Sequence, residues 1–89
     1  MDDYVFHRKI DGIDFYAPSK LKGKKYDAYV NGKRFSFGSL DYQHFIDRIG
    51  YYESLNHYDK KRRDSYRSRH RNDKLDEISS GYLSWHYLW

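Results

Sequence analysis

The chain has no cysteine, one proline, one methionine and few aliphatic side chains. No apolar run approaches the roughly 18 residues of a membrane span. Without cysteine there can be no disulfide and no thiolate metal site, which fits a reducing compartment. The Met-Asp-Asp start lacks the positive and then apolar stretches of a signal peptide. The expected product is therefore soluble and used inside a cell. Aromatic residues replace the missing aliphatics. Hydrophobic residues make up 38% of the chain and aromatics 20%, with 11 Tyr, 5 Phe and 2 Trp. Such a sequence builds its core from a few large rings with polar tips, and disordered chains lack such rings. Its 89 residues make a single domain, 1–89, with one small core.

Charge is plentiful and uneven. The net charge is +4. From Lys60 to Arg71 seven cations face one anion, Asp64, so this segment carries +6 and the rest of the chain −2. The sequence describes a dipole with one basic ridge, a feature that attracts phosphates or acidic protein surfaces.

The first half reads as two hairpins. Asp11-Gly12 sits between extended runs in "VFHRKIDGIDFYA" and suits a type I′ turn. A regular ladder from it sets Ile10 opposite Ile13, Lys9 opposite Asp14 and Phe6 opposite Ala17. "PSKLKGKK" is a polar, solvated connector. Asn31-Gly32 is the preferred type I′ pair. Outward from it, Val30 meets Lys33, Ala28 meets Phe35 and Tyr26 meets Phe37 on an apolar face. Asp27 with Ser36 and Tyr29 with Arg34 make the reverse, polar face.

The second half switches period. In "SLDYQHFIDRIG", Tyr42, Phe45, Ile46 and Ile49 fall at i, i+3, i+4 and i+7, predicting a short amphipathic helix over 39–50 that Asp41 or Ser39 can cap. "YYESLNHY" is ambiguous, with a further helical turn as one reading. Asp59 is a natural N-cap for a basic helix from Lys60 to about Arg71, anchored by Tyr66 and His70. "NDKLDEI" reads as a loop. In "SSGYLSWHYLW", Ser79 or Ser80 caps a last helix with Tyr82, Trp85 and Trp89 on one side. The expected fold class is α+β, a small antiparallel hairpin sheet packed by two or three short helices.

Each candidate site has a plain alternative. The basic helix can be nothing more than a solvated face. Its spacing offers more, because Arg63, Arg67 and Arg71 repeat every fourth residue and Lys60 widens the row. With Lys61 and Arg69 they form the candidate surface for nucleic acid or an acidic partner. Neutralising four to six phosphates would give a salt slope of about −4 to −5 on duplex DNA. No Asn or Gln is interleaved to address adenine edges, so sequence-specific reading is not expected. Most rings, among them Tyr26, Phe35, Phe37, Phe45, Tyr66 and Trp85, are needed for the core. "YLSWHYLW" has more apolar residues than one buried face absorbs. Some of Leu83, Tyr87 and Trp89 are therefore expected at the surface, forming with Leu88 a candidate protein interface.

No catalytic site, cofactor site or small-molecule substrate is indicated. The five histidines match no zinc template, so no metal is expected. His57-x-Asp59 resembles half of a nuclease site without a second acidic cluster. Ser79 and Ser80 are caps rather than nucleophiles, and "KLKGKK" lacks the glycines and preceding strand of a phosphate loop.

Three stretches, "KKYDAYVNGKRFSFGS", "HYDKKRRDSYRSRH" and "SSGYLSWHYLW", fall in the order found in a family of small, basic proteins encoded by giant DNA viruses and some large phages, which the chain resembles over residues 24–89. The chain departs from that pattern by an insertion bearing "YQHFIDRI" and by lacking the Asn-Lys-Pro tail of relatives after Trp89. Residues 1–23 match nothing in it. The resemblance implies a viral setting and a place in the particle. The first expected function is thus a non-enzymatic minor capsid or capsid-lining protein, located in the virion and in the host cytoplasm or nucleus during infection. Its partners would be capsid or other virion proteins, with DNA as a further partner, and no membrane. The alternatives are a non-sequence-specific nucleic-acid-binding protein of the infected cell and an inhibitor or adaptor of a host protein.

Overall fold

A computed structural model describes residues 4–71 and 77–89. It shows an α+β fold. Strands β1 (Val5–Ile10), β2 (Ile13–Ala17), β3 (Lys24–Val30) and β4 (Lys33–Ser39) form one antiparallel sheet in the order β1-β2-β3-β4. A 3₁₀ turn (Glu53–Leu55) and helices α1 (Lys60–Arg69) and α2 (Ser80–Tyr87) follow. Among the described residues no helix is long and apolar enough to cross a membrane.

Both hairpins form where the turn residues place them. Asp11 and Gly12 have φ of 54° and 78°, Asn31 and Gly32 of 51° and 80°, the left-handed pair that a type I′ turn demands. The β3–β4 register is the expected one throughout, from Val30–Lys33 to Tyr26–Phe37. The β1–β2 register matches at Ile10–Ile13 and Lys9–Asp14 and then slips. A bulge between Phe6 and Arg8 sets Phe6 opposite Tyr16 and Val5 opposite Ala17, which corrects the expected Phe6–Ala17 pair.

Ile13, Phe15 and Ala17 of β2, Tyr26 and Ala28 of β3 and Phe37 of β4 are buried on one face. Leu83 and Tyr87 of α2, with Leu88 and Ile49, close over them. Phe15 is the hub, with ring centroids 4.9 Å from Tyr87, 6.0 Å from Phe37 and 6.5 Å from Tyr26. Ser79 caps α2 by accepting from the Tyr82 N–H, and Ser80 Oγ donates to the Ser36 carbonyl at 2.7 Å, tying α2 to β4.

This arrangement corrects the reading of the C-terminal rings. Leu83, Tyr87 and Leu88 are almost fully enclosed, and Trp89 is half-buried. The side of α2 turned inward is the Leu83–Tyr87 side, because these residues fill the space above Phe15. The surface exposure that suggested an interface at Leu83, Tyr87 and Leu88 is not there.

No helix forms over 39–50. The apolar spacing does not make a face: Ile49 is buried and Phe45 half-buried, while Tyr42 and Ile46 lie at the surface. The backbone donors of the segment have other partners. Phe45 and Ile46 N–H donate to the Leu88 carbonyl, and Arg48 N–H to that of Tyr87. They satisfy carbonyls left open at the end of α2. The Asp47 carboxylate gathers the rest, accepting from the N–H groups of Ile49 (2.8 Å), Gly50 (3.0 Å) and Tyr52 (2.7 Å) and from the Tyr26 hydroxyl. "YYESLNHY" supplies the 3₁₀ turn, and His44 pairs with Asn56 in a short parallel bridge. Asp59 caps α1 as expected, accepting from Lys61 and Arg62 N–H, and the helix ends at Arg69. Residues 72–76 of the expected loop lie outside the described residues.

Candidate nucleic-acid interface

Helix α1 buries no residue, and three rings hold it down. Tyr66 lies flat on Trp89, with centroids 4.3 Å apart and planes 5° from parallel, and His70 stacks on Tyr66 at 4.2 Å. Two of the arginines expected to project outward join this anchor instead. The Arg63 guanidinium sits 4.7 Å from the Phe45 centroid. That of Arg67 sits 5.1 Å from Trp85, and its Nη2 donates to the main-chain oxygen of Trp89 at 2.9 Å. Arginine is suited to this, being planar and weakly hydrated. The row Arg63–Arg67–Arg71 therefore does not form an outward face. Lys60, Lys61, Arg69 and Arg71 remain exposed.

Beside the anchor is a groove of about 420 Å³. One wall comes from α1: Lys61, Arg62, Ser65, Tyr66, Arg69 and the capping His70. The other comes from Lys25 of β3, Gly38 of β4 and Tyr42 and Gln43 beyond it, with Leu88 and Trp89 completing the lining. Arg62 Nη1 donates to Gln43 Oε1 at 2.9 Å, joining the walls. Four cations from two separated stretches of chain thus converge: Lys25, Lys61, Arg62 and Arg69. Among the described residues that line the groove there is no Asp or Glu.

Lys25 is the unusual member. Only 2% of its surface is exposed, and its ammonium donates to the Tyr42 carbonyl at 2.8 Å. Burial pulls its pKa down to about 8, with the nearby Asp47 carboxylate pulling the other way, so the side chain is still mostly charged at pH 7. Gly38 makes this burial possible. A Cβ there would meet Leu88 Cδ1 at 2.9 Å and Lys25 Cβ at 3.2 Å, and the backbone has φ +79°. Strand, lysine and leucine meet closely because no side chain stands between them.

Lys25, Arg62, Tyr42 and Gln43 lie outside the residues that the sequence singles out. Lys25 reads as the end of a solvated connector, and Tyr42 as the apolar side of a helix that does not form. Of the expected set, Lys61 and Arg69 line the groove, Lys60 and Arg71 flank it in sequence, and Arg63 and Arg67 turn inward. Among the described residues no group of three His, Asp or Glu could hold a metal ion. His44 is enclosed and bonded to Asn56, and His57 lies against Trp89, with centroids 5.3 Å apart. No family model, curated protein or solved structure matches this chain.

Proposed function

We propose that this is a non-enzymatic protein that binds nucleic acid without sequence preference, holding the phosphate backbone along the groove between α1 and the end of β4. One observation carries the reading: Lys25, Lys61, Arg62 and Arg69 line a single concavity that no Asp or Glu side chain lines. Like charges brought together in this way repel unless an anion joins them, and the gathering costs stability that a bound polyanion returns. A bare solvated face would scatter its cations instead. The Arg62–Gln43 contact leaves further guanidinium donors for phosphate oxygens. Backbone contacts of this kind position a nucleic acid and carry no sequence information.

As a component of a virus particle, the setting that the family resemblance implies, the protein would meet the packaged genome through this same groove. Docking through α2 loses support, since Leu83, Tyr87 and Leu88 belong to the core.

Titration of a fluorescent oligonucleotide at several salt concentrations tests the reading. Four neutralised phosphates on a single strand correspond to a slope of log affinity against log salt of about −3. Changing Lys61, Arg62 and Arg69 together to Glu should abolish binding while the fold persists, because all three lie at the surface. Binding that survives this triple change, or no binding in dilute salt, would overturn it.

A further inference from the structure

We infer that the groove selects an unpaired strand, seating one nucleotide with its base on the Tyr42 ring and its phosphate on the Lys25 ammonium. This rests on the nucleic-acid reading and narrows it to a ligand class. Three features of the groove lead there.

The first is Tyr42. It is 69% exposed, yet it lines the groove and its backbone is fixed from below by the Lys25 hydrogen bond. An exposed ring on a fixed backbone is the form of a stacking platform, and every base has a face to offer it. Tyr66 cannot take that role, being sandwiched between Trp89 and His70.

The second is the depth of Lys25. An ammonium has three donors, and the Tyr42 carbonyl takes one. Lys61, Arg62 and Arg69 are surface residues, whereas Lys25 is nearly enclosed. A duplex presents its phosphates on convex rails with the bases stacked inside. Such rails can touch the three surface cations but cannot carry a phosphate down to Lys25 or a base to Tyr42. A strand whose bases are splayed can do both.

The third is size. At about 420 Å³ the groove falls within the roughly 300–1,000 Å³ of sites that enclose small organic ligands, enough for one nucleotide and far too little for a duplex.

The experiment compares a short fluorescein-labelled single strand with a blunt duplex of the same sequence by anisotropy, in one buffer, on the whole chain. The single strand should bind at least about tenfold more tightly. Tyr42→Ala should shrink the ratio of the two affinities by about tenfold, towards the lower end of what one stacked base contributes, and Tyr42→Phe should restore it. Lys25→Met should also shrink the ratio. Because Lys25 is buried, that variant is read only where its thermal melt shows a folded protein, and Tyr42 alone decides otherwise. Equal binding of the two forms, or a ratio unmoved by Tyr42→Ala, would refute the selectivity while leaving nucleic-acid binding in place. Failure of both forms to bind in dilute salt would remove the broader reading and this one together.

Discussion

His44 shows how one side chain can set the response of the molecule to acid. The residue is fully enclosed, with Nε2 2.7 Å from Asn56 Oδ1, an oxygen that also accepts the Asp47 N–H. Among the described residues Nδ1 has no hydrogen-bond partner. A ring that donates on one side and meets nothing on the other is the neutral imidazole. Burial, reinforced by the nearby charge of Lys25, pushes its pKa down to about 4. Between that value and the 6.5 of the unfolded chain, the unfolded state binds the extra proton. The stabilising contribution is therefore complete above pH 6.5 and is lost as pH falls towards 4. It amounts to about 3 kcal/mol if the whole shift is realised. His57 and His86, both lowered by burial, add in the same direction. Urea midpoints at pH 7 and pH 4.5 should differ clearly, and His44→Gln should flatten most of that difference. An unchanged pH slope in His44→Gln would disprove the assignment. Nothing in "YQHFID" marks this histidine as buried, since the Lys25 charge beside it and its Asn56 partner come from elsewhere in the chain.

At the level of elements, what could be read from sequence was what is decided within a few residues. Asn31-Gly32 and Asp11-Gly12 determine their own turns, and Asp59 caps α1 with its own carboxylate. The stretch 39–50 failed as a helix because its N–H groups answer to the carbonyls of Tyr87 and Leu88, some forty residues on. The facing of α2 was illegible for the same reason, since Phe15 at the far end of the chain decides which rings it draws in. The hold on α1 is similarly remote. Trp89 stacks on Tyr66, lies against His57 and accepts from Arg67. Trp89→Ala should therefore loosen α1 first. Amide exchange over Lys60–Arg69 should quicken well before that of β2 and β3, with a loss of about 2 kcal/mol in overall stability, below the 3–5 of a fully enclosed ring. Uniform acceleration across sheet and helix would show that α1 and the sheet open as one unit.

Over the whole molecule, the cationic side foreseen from Lys60 to Arg71 is real but narrower than its sequence suggests. Arg63 and Arg67 serve as packing, and the groove recruits Lys25 from the sheet in their place. Periodicity along one helix shows which cations share a face. It does not show which of them a neighbouring indole or phenyl ring will cover. Half of the site was thus visible as charge, and the other half exists only because β3, β4 and the segment after them are folded against α1.

The slip at His7 has a consequence for the outermost strand. Among the described residues β1 has a partner on one side only, and Val5 and Phe6 are about half exposed there. An unbroken rim of this kind invites another molecule to add its own strand, the first step towards a fibre. The extra residue breaks that rim and twists it away from a would-be neighbour. Deleting His7 should leave the hairpin able to form but prone to cluster, seen as light scattering that grows with concentration and time. If the shortened chain stays monomeric in concentrated solution, the irregularity has no protective role.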